Sequence, residues 1–223
     1  MNRIWKDRKY NAREKDRDPA LKMRLQQWVN TKVCLLEPDV PLLFHRLHEF
    51  AQGIRFEGFT FAFSNLGGGI RESATAVDLI ESLSEALCRG LDMNDITKKS
   101  LQETLYFCTG IAPQLSQTEF GRRLESFVAL HGSKGFIRMF LGVHLSNLIF
   151  KDLYDFLVGS AAEQLRARTE LIEQICHKAG TRAVKPATDW SKQDESLLST
   201  LDVDLNTDIF RALTAELRSI RPA

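Results

Sequence analysis

Cysteine is scarce in this 223-residue chain, and its four residues (Cys34, Cys88, Cys108, Cys176) stand far apart. No CxxC pair is present, so the spacing gives no support to a structural zinc site or a redox dithiol. Each cysteine has apolar neighbours at helical spacing, and all four read as reduced, buried, small hydrophobes of a cytoplasmic protein. Proline is also rare, with six residues, and Tyr and Trp number three each. Neither a repeat nor a low-complexity tract is present. A secretory apolar region is not expected, because Met1 to Asp18 is crowded with charge where one would sit. A membrane span is equally unexpected, since the most apolar stretch carries Arg138, His144, Ser146 and Asn147, and a bilayer needs roughly 20 mostly apolar residues.

That stretch, Gly135 to Val158, is nevertheless the most telling one. At 3.6 residues per turn Phe136, Phe140 and Val143 share one side and Ile149 lies on the opposite one, yet all are apolar. A helix apolar on every side must be surrounded by others. The fold class this implies is all-α: a compact bundle of seven or eight helices around a central apolar helix over 134–158.

The other helices announce themselves by caps and stripes. Asp18-Pro19 is a helix start, an N-cap acid followed by proline at the first helical position. Leu21, Leu25, Trp28, Val29, Val33 and Leu36 then share a face as far as Pro38. Asp39 opens a second helix, ending at Gly53, with Leu43, Phe44, Leu47 and Phe50 inward. Val77, Ile80, Leu83, Leu87 and Cys88 make a stripe closed by Gly90, and another helix runs from Asp95 to Cys108. Ser116 and Glu119 form a capping-box pattern ahead of a helix that stops at Gly132. Beyond Gly159, a helix carries Leu165, Leu171, Ile172, Ile175 and Cys176. A short helix near 191–201 and a last one from Thr207 complete the set. One stretch departs from helical spacing: Phe59, Phe61 and Phe63 alternate with small or polar residues, which predicts a short extended Phe-rich segment plugged into the core. The domain reading is a basic arm (1–17), a helical core (18–180), a linker (181–190) and a C-terminal helical segment (191–223) packed on the core.

Net charge is only +1, but it is unevenly spread. Residues 1–24 carry nine Lys/Arg against four acids, and residues 189–210 carry six acids against Lys192 alone. The arm places Arg3, Lys6, Arg8, Lys9, Arg13, Lys15 and Arg17 around Trp5 and Tyr10, a mixture suited to an acidic protein surface or to a nucleic-acid backbone with stacking. Elsewhere the chemistry is thin. His45 and His48 lie one turn apart beside Glu49 but match no metal signature. Gly67-Gly68-Gly69 precedes a helix with Arg71 as its lone adjacent cation, and lacks the P-loop pattern. A faint helix-turn-helix spacing over Ala86, Gly90 and Ile96 is broken by Lys99. His144, midway along the core helix, could ligate a haem-like cofactor or simply donate to a backbone carbonyl or to Asn147.

The sequence supports three readings. The first is a non-enzymatic helical subunit or adaptor of an intracellular assembly, with a protein partner or a second copy docked on the arm and no cofactor. The second is a nucleic-acid-associated protein using the same arm. The third is a cofactor-binding bundle centred on His144.

Overall fold

The computed structural model of the chain describes residues 18–68, 75–110, 115–184 and 195–220, the side chains of 195–204 excepted. Among the described residues the secondary structure is entirely helical: α1 (Pro19–Thr31), α2 (Val40–Glu57), α3 (Phe59–Asn65), α4 (Ala76–Cys88), α5 (Asp95–Thr109), α6 (Gln117–Asp152), α7 (Tyr154–Val158), α8 (Ala162–Ala183) and α9 (Glu195–Ser219). The caps explain several starts. Asp18 Oδ1 accepts from Leu21 N at 2.8 Å, and Thr75 with Asp78 forms a reciprocal capping box ahead of α4. Asn94 accepts from Thr97 N at the start of α5. Ser116 caps α6, but Glu119 turns to Arg122 and Arg123 and does not complete the predicted box.

The second half of α6 is enclosed. From Gly132 to Phe150 no residue is exposed, and Phe136, Ile137, Phe140, Leu141 and Leu145 are fully buried. Helices α2, α3, α4, α5, α7 and α8 all pack on α6, while α9 lies on α8, α1 and α2. Helices α6 and α8 approach each other closely. A Cβ on Gly180 would come within 3.0 Å of the Gly142 nitrogen and 3.1 Å of the Arg138 carbonyl, so the two backbones meet where neither residue has a side chain.

Several expectations need correction. The Phe-rich stretch is not extended: 59–65 is helix, with Phe59 and Phe63 buried and Phe61 about half exposed. Phe59 and Phe63 are one turn apart and stack at 5.7 Å, and Phe59 meets Phe120 edge-on at 5.5 Å. The alternation was a coincidence of a short helix in which Phe61 simply faces outward. Gly58, at φ 86° and ψ 166°, separates α3 from α2 and makes the run look unlike its neighbours. Helix α1 ends at Thr31 and not at Pro38, because Asn206 Oδ1 captures the N–H groups of Leu35 (3.0 Å) and Leu36 (3.2 Å) and draws the chain into a loop. Val33, expected inside, is 96% exposed. Helix α2 runs past Gly53 to Glu57. The core helix breaks at Leu153, so 154–158 is a separate turn of helix. Helix α8 continues through Ala183, so 181–183 is helical and Val184 is buried just beyond it; residues 185–190 of the expected linker lie outside the described residues. The two expected C-terminal helices are one, Glu195–Ser219.

Phe140 is fully buried and meets Phe44 edge-on at 5.6 Å, so Phe140→Ala should remove about 3–5 kcal/mol of stability. Leu148 on the same helix is only partly buried, and its truncation should be milder. Urea melts of the two variants check the order, and equal losses would mean that burial does not rank these positions.

Candidate functional site

The seven cations and Trp5 of the arm fall in residues 1–17, outside the described residues. What the structure does place is the point where the arm joins the body. Asp18 caps α1 and also pairs with Arg168 of α8, Oδ2 to Nε at 2.6 Å. Arg168 is 6% exposed, donates through Nη1 to Ser160 Oγ at 2.6 Å, and lays its guanidinium 4.2 Å from the Phe156 ring centroid. Burial pushes the Asp18 carboxyl up, but the Arg168 and Leu21 hydrogen bonds outweigh it and hold it below its ordinary range. Lys22, one turn on, donates to the Ile220 carbonyl at the end of α9. The first turn of α1 is therefore clamped to α8 and α9.

His144 is 1% exposed and stacked on Phe140, with ring planes 11° apart. Its Nε2 stands 3.1 Å from the Leu35 carbonyl, which can only accept, so Nε2 carries the proton. Nδ1 is buried with no hydrogen-bond partner. Asn147 is not its neighbour in this respect, since its amide donates to Ser100 and Glu103 on α5. Burial, offset in part by the Leu35 bond, pulls the imidazole pKa down to about 4. The ring is neutral at pH 7, and its protonated nitrogen ties the α1–α2 loop to the core helix. Leu35 is thus gripped from both sides, its carbonyl by His144 and its N–H by Asn206.

The remaining sequence candidates separate in space. His45 Nε2 lies 3.3 Å from Glu49 on its own helix, whereas His48 Nδ1 reaches Ser133 Oγ at 2.9 Å. Among the described residues no group of three His, Cys, Asp or Glu is placed to hold a metal ion, and no helix is long and apolar enough to cross a membrane. Gly67 has φ 73° and lies two residues beyond the end of α3; a Cβ on Gly68 would lie 2.4 Å from the Phe63 ring. Gly69 and Arg71 lie outside the described residues. The turn after α4, in the faint helix-turn-helix region, is tied back onto α2 and the residues before it. Arg46 donates to the Leu87 and Arg89 carbonyls, Asp39 accepts from Asp92 N, and Glu37 accepts from Asn94 N.

Two buried charges were missed by sequence reasoning: Arg168, and Glu216 on α9, which is 3% exposed and pairs with Arg182 at 2.6 Å. A signal existed for both. Arg168 occupies the stripe Leu165–Arg168–Ile172–Ile175, and Glu216 occupies Ile209–Leu213–Glu216–Ile220, each at a position where the period asks for an apolar residue. The cysteine expectation needs one correction: Cys34 is exposed, because α1 ends before it, whereas Cys88, Cys108 and Cys176 are buried. No family model matches the chain, and no curated protein or solved structure matches it.

Two outcomes are expected. Because the folded His144 pKa (about 4) lies below its ordinary 6.5, the unfolded chain binds this proton more tightly. Stability is then complete above pH 6.5 and falls by about 3 kcal/mol as pH drops towards 4. His144→Gln should flatten that slope in urea titrations between pH 7.5 and 4.5; an unchanged slope would assign it to other groups. In thiol titration, Cys34 should react promptly in native protein. Burial pushes the Cys176 thiol up to about 12 and Cys108 well above its usual range, so these two, with Cys88, should react only after denaturation.

Proposed function

We propose that the chain is a non-enzymatic helical subunit or adaptor of a larger intracellular assembly, which docks on an acidic partner through residues 1–17. The observation that carries this reading is the composition of that stretch: seven Lys/Arg in seventeen residues with Trp5 and Tyr10 among them. Cations at this density attract a partner of opposite charge over roughly a Debye length, about 8–10 Å at physiological salt. The aromatic residues offer anchors of the kind that carry most binding energy in protein interfaces. Support also comes from the use of the buried and half-buried titratable groups. Asp18, His144, Arg168 and Glu216 each hold one element of the fold to another.

Deleting residues 1–17 should leave the melting temperature within a degree or two of the full chain, since the clamp on the body begins at Asp18. Capture of a defined acidic protein by the full chain at low salt should be lost on deletion, and lost equally when salt is raised to about 0.5 M. A large drop in melting temperature would make the arm a structural element. Capture that survives deletion would place docking elsewhere. Preferential capture of RNA or DNA, with a steep salt slope, would move the chain to the nucleic-acid class.

A further inference from the structure

The run Gln117–Asp152 kinks at one residue. Gly132 has φ 63° and ψ −173°, with helix on both sides, in a region of backbone space essentially restricted to glycine. A Cβ there would meet nothing within 4 Å. The backbone conformation, not crowding, reserves the position for glycine. Three residues on, a Cβ at Gly135 would lie 2.4 Å from the Cβ of His131. In a continuous helix these are positions i and i+4, whose Cβ atoms stand about 5–6 Å apart. The second glycine is therefore required by the bend and by nothing in a straight helix. Both glycines thus suit the chain to the bent form, one through its backbone conformation and one through the space the bend leaves. It is closed by Phe127 edge-on to Phe136 at 5.0 Å and by the His48–Ser133 contact.

Several contacts join residues before Gly132 to residues after it: Asp18 to Arg168, Lys32 and Trp28 to Asp152, Leu35 to His144, and Phe44 to Phe140. A straight helix over 117–152 would carry the first half away from the second, and one chain could no longer make these contacts. Two chains could, each supplying one half to the other. We propose that Gly132 is a latent hinge: Gly132 and Gly135 hold the chain in its bent, unexchanged form, and where the bend is opposed the helices before Gly132 exchange between two copies of this chain. In the exchanged dimer every interface is retained between copies, and the hinge alone changes conformation. Alanine at both positions opposes the bend twice, once through φ and once through His131, and is also the better helix former.

The Lys32–Asp152 pair reports the exchange. Its atoms are 2.7 Å apart and about a third exposed, so a water-soluble carbodiimide can join them, and they lie on opposite sides of the hinge. Equal amounts of unlabelled and 15N-labelled full chain are unfolded together, refolded, cross-linked and read by mass spectrometry. Wild type should give same-isotope pairs and the 25.4 kDa mass of one chain by light scattering. The double variant Gly132→Ala/Gly135→Ala should give twice that mass and about half mixed-isotope pairs, the statistical share for exchange. A double variant that stays a folded single chain with same-isotope pairs overturns the proposal. So does one that loses its helical circular dichroism, because an exchanged dimer retains every helix. Gly132→Ala alone is the gentler second arm: a several-fold rise in dimer fraction over wild type supports the hinge, and an unchanged monomer opposes it. Mixed pairs in wild type would show that the glycines do not hold the chain unexchanged.

Discussion

The structure depends most on the close crossing of α6 and α8. Packed helices ordinarily lie 8–10 Å apart because side chains intervene. At Gly142 and Gly180 none does, and a Cβ on either would strike backbone of the other helix: the Gly142 nitrogen on one side and His177 Cα, also at 3.0 Å, on the other. Contact at this range places backbone atoms within mutual dispersion distance along the crossing, with Ser146, Cys176 and Ala179 extending the small, buried surface. Once α6 and α8 are fixed, their remaining faces define where the other helices go. Helices α2 and α5 cover α6 from other sides, and α9 lies along α8. An architecture built this way has little tolerance at its centre and more at its periphery.

Around that crossing, buried polar groups determine which loop meets which helix. Apolar burial is non-directional; it does not say that Leu35 must sit under His144 or that α1 must begin beside α8. The Asp18–Arg168 pair, the His144–Leu35–Asn206 chain and the Glu216–Arg182 pair supply that direction. Such groups add little net stability when satisfied, because desolvation offsets most of the attraction, yet losing one partner leaves an uncompensated buried group. Their contribution is to make alternative arrangements worse. His144 shows the limit of this strategy, since its second nitrogen is buried without a partner, and its neutral form is the only one the site accommodates well.

Much of this was legible in the sequence. The all-helical class follows from stripe and cap patterns, and the enclosed half of α6 follows from its lack of a polar face. The features that were not legible depended on contacts distant in sequence. Nothing near Thr31 says that Asn206, some 170 residues away, will stop α1 and thereby expose Val33 and Cys34. The phenylalanines at 59, 61 and 63 misled because seven residues are too few for periods of 2 and 3.6 to be told apart. Arg168 and Glu216 could have been found, since a charge on an apolar stripe asks for a buried partner. The proposed docking residues of the arm rest on composition, which states a charge and not a geometry.

Two glycines show how a few backbone positions shape the whole. Gly58, at φ 86° and ψ 166°, and Gly132, at φ 63° and ψ −173°, occupy the same region that other residues avoid. Each interrupts a stretch that would otherwise run as one helix, 40–65 in one case and 117–152 in the other. At 1.5 Å per residue, an unbroken 36-residue helix would measure about 54 Å, longer than a compact domain of this size can enclose. Contacts also join the stretch after Gly58 to the first half of α6. Glu125, on α6 before its bend, accepts from Phe59 N just after Gly58 at 2.9 Å, and the Phe59 ring packs where Gly121 lacks a side chain. The segments after Gly58 and before Gly132 therefore support each other through a hydrogen bond and a ring seated where no side chain stands.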